Sequence, residues 1–321
     1  MTDRKFHGGY SMETYFPISP LMRTAGVLGL AIIIAIMATM TAVQLVFAQD
    51  VAVTEFAPGI VSGTGDEVFR GSFSPSGDTY YFFRKVTPGK EDYRIFVTHR
   101  TGGTWSEPDQ LQMADSEESE MYPTISPDGT HMVFSSYRAV MGYEGEPNAN
   151  LWSAEKTATG WTKPELLRDA STFEHYDAGP SFYPDGTVHF ASTSADWSTD
   201  WFRFTKPDQG GFGAWKNEQK TEDWINWRDD VHIWNIVHYP LGRFSLLNVS
   251  EISDDGRRLP TDIYVTYPDG KDWSEPQRLG SSVNTDEYEN FIVIDTAAER
   301  VLFVRAFRTV HQFSISQILT N

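Results

Sequence analysis

Tyr122-Pro123-Thr124-Ile125-Ser126-Pro127-Asp128-Gly129-Thr130-His131-Met132-Val133-Phe134 reads as a strand, a tight turn and a second strand. Pro127 presets φ inside the turn and Gly129 supplies positive φ, so the chain reverses between two apolar runs. The turn signal recurs as Ser74-Pro75-Ser76-Gly77, Tyr183-Pro184-Asp185-Gly186, Tyr239-Pro240-Leu241-Gly242 and a degenerate Asp295-Thr296-Ala297-Ala298. The last residues of the five copies are 52, 57, 56 and 56 apart. Most copies lead into an aromatic or aliphatic run, such as Tyr80-Tyr81-Phe82-Phe83 or Val301-Leu302-Phe303-Val304. A period of about 40–60 residues made of strands and tight turns is the signature of a β-propeller.

Each unit reads as four antiparallel strands. The first precedes the Pro-x-Gly turn and the second follows it. A third is a short aromatic run such as Asn150-Leu151-Trp152, and a second turn signal introduces the fourth: Trp105-Ser106-Glu107-Pro108, Trp161-Thr162-Lys163-Pro164, Trp215-Lys216-Asn217-Glu218 and Trp273-Ser274-Glu275-Pro276. These tryptophans are 56, 54 and 58 apart, the same period read independently. Their large rings are expected to pack between sheets. The fifth unit stops after its third strand, and Ala57-Pro58-Gly59-Ile60-Val61 matches the missing fourth. The expectation is an all-β, five-bladed propeller of four-stranded antiparallel blades, closed by the N-terminal strand. Six blades is the alternative, with the extra one in the irregular stretch 205–235.

The Ser-Pro-Asp-Gly turns, the Trp-Ser-x-Pro turns and the stretch Leu279-Gly280-Ser281-Ser282-Val283-Asn284-Thr285-Asp286-Glu287-Tyr288 resemble the repeats of the TolB-like β-propeller family of bacterial envelope proteins. The resemblance covers residues 51–321. It implies the propeller fold and, for function, a family that includes protein-binding modules, peptidase-associated propellers and lyases. The fourth and fifth units depart from the pattern, with Leu241 and Ala297 in the Asp position.

Residues 25–48 are apolar apart from a few threonines and one glutamine, preceded by Arg23 and ending Val46-Phe47-Ala48. This N-terminal hydrophobic helix reads as a secretory signal cleaved after Ala48, with Met22 as an alternative start, or as an uncleaved anchor. The organisation expected is therefore residues 1–48 as signal peptide or membrane anchor and 49–321 as propeller. The location expected is periplasmic or secreted, or membrane-anchored with an extracytoplasmic propeller. The chain has no cysteine, which excludes disulfides, thiolate metal sites and a cysteine nucleophile. Without residues 1–48, 42 acids face 23 bases. That field disfavours nucleic acid and anionic membrane surfaces, leaving the N-terminal segment as the one membrane contact.

In this strand order the regular turns share one face and the irregular loops gather on the other, where function concentrates. The loops bring an acid to the start of each inner strand: Glu67, Glu120, Glu174, Asp230 and Glu287. Five carboxylates around one channel mouth call for Ca²⁺ or a cationic ligand, or else each caps its own turn or faces water. Seven residues past the turns lie Arg84 and Arg305, with Arg70 and Arg138 nearby. These arginines either pair with the acids or clamp a carboxylate, a sulfated sugar or a uronic sugar. His175 and His232 sit beside acids in successive loops, without the spacing of a tight metal site. Six of the ten tryptophans fall between Trp197 and Trp234, and Trp224 and Trp227 lie in a polar loop where an indole can stack on a sugar or hold an apolar side chain.

No cofactor motif is present: there is no phosphate-cradling glycine loop, no Gly-x-Ser-x-Gly elbow and no dinucleotide fingerprint. Two functions follow. One is an exported, non-enzymatic propeller binding a peptide, a protein partner or a carbohydrate on its loop-rich face. The other is a glycan-active hydrolase or lyase using two acids at the channel mouth.

Overall fold

The computed structural model describes residues 51–319 except 64, 114–116, 142–147, 168–174, 183–185, 195–198, 206–215, 220–226, 240 and 271; for 199–205, 216–219 and 272 it describes the backbone alone. The hydrophobic helix expected over 25–48, the signal or anchor reading of 1–48, and most of the irregular stretch 205–235 lie outside the described residues, as do Glu174 and Trp224. What is described is all-β and propeller-like, with no α-helix.

Strand β1 (Thr54–Glu55) opens the domain. β2 (Val68–Phe73), β3 (Thr79–Lys85) and β4 (Tyr93–Thr101) form an antiparallel sheet, with β5 (Thr104–Trp105) and β6 (Asp109–Gln110) both paired to β4. β7 (Glu120–Ile125), β8 (His131–Ser136), β9 (Asn150–Thr157), β10 (Gly160–Trp161) and β11 (Glu165–Leu166) repeat that plan. The third sheet contains β12 (Tyr176–Phe182), β13 (Val188–Thr193), β14 (Thr199–Thr205) and β15 (Lys216–Gln219). In the fourth, β16 (Val231–His238), β17 (Ser245–Ile252) and β18 (Arg258–Thr266) end on β21 (Gln277–Arg278), and a ribbon of β19 (Pro268–Asp269) and β20 (Asp272–Trp273) leads there. β22 (Glu289–Asp295), β23 (Arg300–Arg305) and β24 (Thr309–Ser314) form the fifth, whose outer strand is β1.

Alternation along these strands puts one set of side chains into each gap between sheets, and the apolar core divides accordingly into five clusters. Phe83 and Ile95 meet Met121 and Phe134 between the first sheet and the second. Val133 and Leu151 meet Val188 and Phe190 between the second and third, and Ala191 meets Ile233 and Leu247 between the third and fourth. Leu246 and Ile263 meet Val301 and Phe303 between the fourth and fifth. The last cluster joins Val293 and Leu302 of the fifth sheet to Phe73 and Phe82 of the first. Trp105 and Trp161 behave as expected of large rings between twisted sheets, and Trp215 lies outside the described residues. Trp161 of the second sheet meets Tyr81 of the first edge-on at 5.8 Å, and Trp105 lies 5.5 Å from Phe56.

The two ends of the domain are joined, with a shift from the sequence expectation. Thr54 pairs with Gln312 and Glu55 with His311, so the closing strand lies just before the stretch expected to form it. Residues 57–62 turn instead: the Ala57 carbonyl accepts from the amides of Val61 and Ser62 at 2.9 and 3.3 Å. Pro58 and Gly59 favour that turn over an extended strand. Between strand and turn, Phe56 is 1 % exposed and packs edge-on against Phe73, Tyr80 and Trp105, with the Arg300 guanidinium 4.9 Å from its ring centre. Phe56→Ala should remove about 3–5 kcal/mol of stability. Denaturant unfolding measures it, and a loss below about 1 kcal/mol would show that the seam is not held by this ring.

Candidate functional site

The inner strands β2, β7, β12, β16 and β22 each carry one more residue than the neighbour they pair with. The extra residue falls at 69–70, 122–123, 179–180, 234 and 291–292 respectively. A bulge bends the strand and re-aims side chains. Repeated on every inner strand, it turns the residue four places before each Pro-x-Gly turn toward the common centre. Those residues are Arg70, Tyr122, Gly179, Asn235 and Phe291, and all of them line one cavity of about 700 Å³.

That cavity is an aromatic bowl on the side of the irregular loops. Phe69, Tyr122, Trp234, Phe291 and Phe307 supply ring surface, and Asn235, Asn248, Asn290 and Thr261 supply uncharged polar groups. Trp234 stands at its rim, 38 % exposed, its Nε1 donating to Ser250 Oγ at 2.8 Å and the Arg258 guanidinium 5.1 Å from its ring. Backbone strain concentrates here. Tyr122, Phe291 and Phe307 have φ of 54°, 57° and 58°, three of the six non-glycine residues with positive φ among those described. Phe307 is held in the turn Arg305–Arg308, where Ala306 at 52° shares the left-handed conformation usually left to Asn and Gly. Each such residue costs about 1–2 kcal/mol, and strain of this kind gathers where a ligand is held.

Four phenols form one wall. Burial raises the pKa of Tyr93, Tyr122 and Tyr176, the last well above the ordinary value, and pushes Tyr137 up to about 12. The Tyr176 hydroxyl donates to Met121 Sδ at 3.6 Å, and all four phenols stay neutral through the physiological range. The floor is Arg70. Its Nη1 donates to the Gly179 carbonyl at 3.0 Å, from the first sheet to the third. Burial pulls the guanidinium down to about 10, which leaves it charged at neutral pH.

Among the described candidates from the sequence, Arg70 alone lines this bowl. Glu67 is exposed and pairs with Lys85 at 3.4 Å. Glu120 and Arg138 form a buried ion pair. Arg84 donates to the carbonyls of Ile60 and Val61, and Arg305 to those of Ser282 and Val283 and to Glu289. These two arginines thus hold equivalent loops in the first and fifth sheets. Asp230 is gripped through both oxygens by Arg228, and Glu287 is exposed. His175 Nδ1 lies 3.4 Å from Ser192 Oγ, and His232 lies beside Trp234, with ring centres 4.3 Å apart. Trp227 is half-buried against Tyr264. Glu174 and Trp224 are outside the described residues. The acids that are drawn inward sit six residues before a turn: Glu120, Asp177 and Glu289, all buried and all hydrogen-bonded. Tyr122, Asn235 and Phe291 are not singled out by the sequence reading, although their fixed distance of four residues from the turns marks them as the partners of Arg70; Trp234 lies one residue further back.

No family model and no curated protein matches the sequence. Solved structures do match in shape. BT0996, solved in an RGII complex, is 10 % identical over 86 % of this protein and 94 % of that one, with a TM-score of 0.51. TolB from Acinetobacter baumannii is 13 % identical over 77 % of this chain, with a TM-score of 0.41; the match takes in 54 % of that structure. A Trypanosoma rangeli sialidase bound to the inhibitor DANA is 12 % identical over 81 % of this chain and 47 % of its own length, at 0.43. At these identities the likeness is one of fold: an all-β propeller.

Two outcomes test this geometry. Gly179 has φ of +64°, and a Cβ there would come 3.4 Å from Arg70 Nη1. Gly179→Ala should therefore cost about 1–2 kcal/mol, read by chemical denaturation, and an unchanged midpoint would refute the left-handed assignment. Burial, reinforced by the charge of Arg258, lowers His232 to about 4. The unfolded chain takes up that proton near pH 6.5, so acidification from pH 6.5 to 4 should destabilise the fold through this residue. The fall in Tm over that window should be smaller in His232→Gln; an identical fall would contradict the assignment.

Proposed function

We propose that residues 51–319 form a five-bladed, TolB-like propeller of an exported protein. In this reading it is a binding module that captures a peptide, a protein segment or a glycan in the aromatic bowl without transforming it. The five clusters, one for each gap between successive sheets and one between the last and the first, support five blades over six. The apolar N-terminal stretch supports export.

One observation carries the functional reading: the bowl is rich in rings and neutral amides, and Glu91 is the one carboxylate among the described residues lining it. Glycoside hydrolysis by paired carboxylates needs two, roughly 5–10 Å apart across the substrate. Binding needs a concave surface with apolar faces and a few polar groups, which is what the bowl offers.

Trp234 is the residue to remove. Full-length protein applied to glycan and peptide arrays should lose about tenfold or more of its capture on Trp234→Ala, since a desolvated indole face contributes on the order of 1–2 kcal/mol. Unchanged capture would place the ligand elsewhere, and release of a cleaved product would replace binding by catalysis.

A further inference from the structure

Among the described residues, Arg84, Arg138, Arg228, Arg278, Arg300 and Arg305 each have an acid within ion-pair distance. Arg70 has none. It is 4 % exposed, and its single hydrogen bond leads to a backbone carbonyl. A buried cation is costly unless it is paired, and a lone guanidinium at such a depth is held there by the rest of the fold against its own solvation. Its place explains the tolerance. Arg70 lines the aromatic bowl on one side and a second cavity of about 370 Å³ at the opposite end of the inner strands on the other, so the charge stands at the waist between them.

The ring of equivalent residues is arranged around that charge. Gly179 offers its carbonyl and no side chain where a Cβ would crowd Nη1. Asn235 places its Oδ1 3.9 Å from where that Cβ would stand. Tyr122 and Phe291 present rings at the two remaining places. The guanidinium carries five donors, and its hydrogen bond to Gly179 uses one of them.

We propose that Arg70 is the anchor for a carboxylate, and that the ligand of the bowl is an acidic sugar whose carboxylate reaches the waist while its ring lies against the aromatic wall. The inference rests on the bowl being a binding site, and it names what binds. A planar carboxylate matches the guanidinium fork through two parallel hydrogen bonds, and a single negative charge is what one unpaired arginine neutralises. A sugar ring has apolar faces for Trp234 and Tyr122 and hydroxyls for the uncharged Asn235 and Asn290. An extended peptide would ask for a free strand edge, and the inner strands here are paired on one side and face the channel with bulges on the other.

Calorimetric titration of the full-length protein with glucuronic acid and with glucose separates the carboxylate from the ring that carries it. Glucuronic acid should bind at least tenfold more tightly than glucose. Arg70→Met should abolish that difference while leaving the weak binding of glucose, and Arg70→Lys should restore part of it. Trp234→Ala should weaken both sugars together. The Tm of Arg70→Met should be unchanged or higher, because removing a buried unpaired charge relieves the fold; a structural arginine would lower it. Equal affinity for the two sugars, a preference that survives Arg70→Met, or a stronger response to inorganic sulfate or to a peptide with a free C-terminal carboxylate would each overturn the acidic-sugar assignment. If neither sugar binds while array capture still depends on Trp234, the assignment falls and the bowl stands as a binding site. If capture is also independent of Trp234, both readings fall.

Discussion

Every inner strand interrupts its own ladder at the same height, and the rest of the molecule follows from that interruption. A strand that alternated without a break would send its side chains only into the gaps between sheets. The one-residue bulge instead bends the strand where five sheets converge and delivers one chosen residue per sheet to the axis. It also sets the local backbone: Tyr122, Gly179 and Phe291 all have φ between 54° and 64°. Glycine meets that demand without strain, and two aromatic residues meet it at a cost. That the cost falls on rings facing the cavity ties the strain to the site rather than to the packing of the sheets.

Charge is distributed by the same geometry. The buried carboxylates Glu120, Asp177 and Glu289 sit two places before the axial residue and do not line the bowl. Arg138, Ser192, Thr285 and Arg305 engage them. An acidic chain thereby keeps its acids out of the described bowl wall, Glu91 apart, and leaves one arginine at the waist whose field is not cancelled by a neighbouring carboxylate. With the four phenols held neutral by burial, the guanidinium is the one charge at the base of the aromatic surface.

The propeller was legible because turns and strands are dictated locally. Pro127 and Gly129 announce a reversal by their own φ preferences, and Tyr80–Phe83 announces a buried strand by composition alone. The site was legible only in part, because it is assembled from one residue on each of five distant strands. Arg70 was legible as one of four arginines expected near the loop-rich face, either pairing with acids or holding an anion. Tyr122 and Phe291 read as ordinary core aromatics, and Asn235 carries no signal of its own. The acids at the loop ends were conspicuous by contrast, yet Glu67, Asp230 and Glu287 are solvated or paired at the surface. A charge at the start of a strand meets water first, whereas the axial position is fixed by counting back from the turn.

The two mouths of the channel differ for a reason already present in the turns. On the Pro-x-Gly side the polar groups satisfy one another. Hydrogen bonds from Ser76, Ser74 and Thr79 hold the Asp78 carboxyl below its ordinary pKa. Burial opposes the same effect at Asp128, but Ser126 and Thr130 still keep that carboxyl at about 2. A turn whose hydroxyls and carboxylates are closed on themselves has little to offer a ligand. The strands that start on the other side carry Tyr122 and Trp234 a few residues in, and the strained Ala306–Phe307 corner lines the same bowl through Phe307. Regularity thus stabilises one rim of the ring, and the bowl opens at the other, where the loops are free to vary.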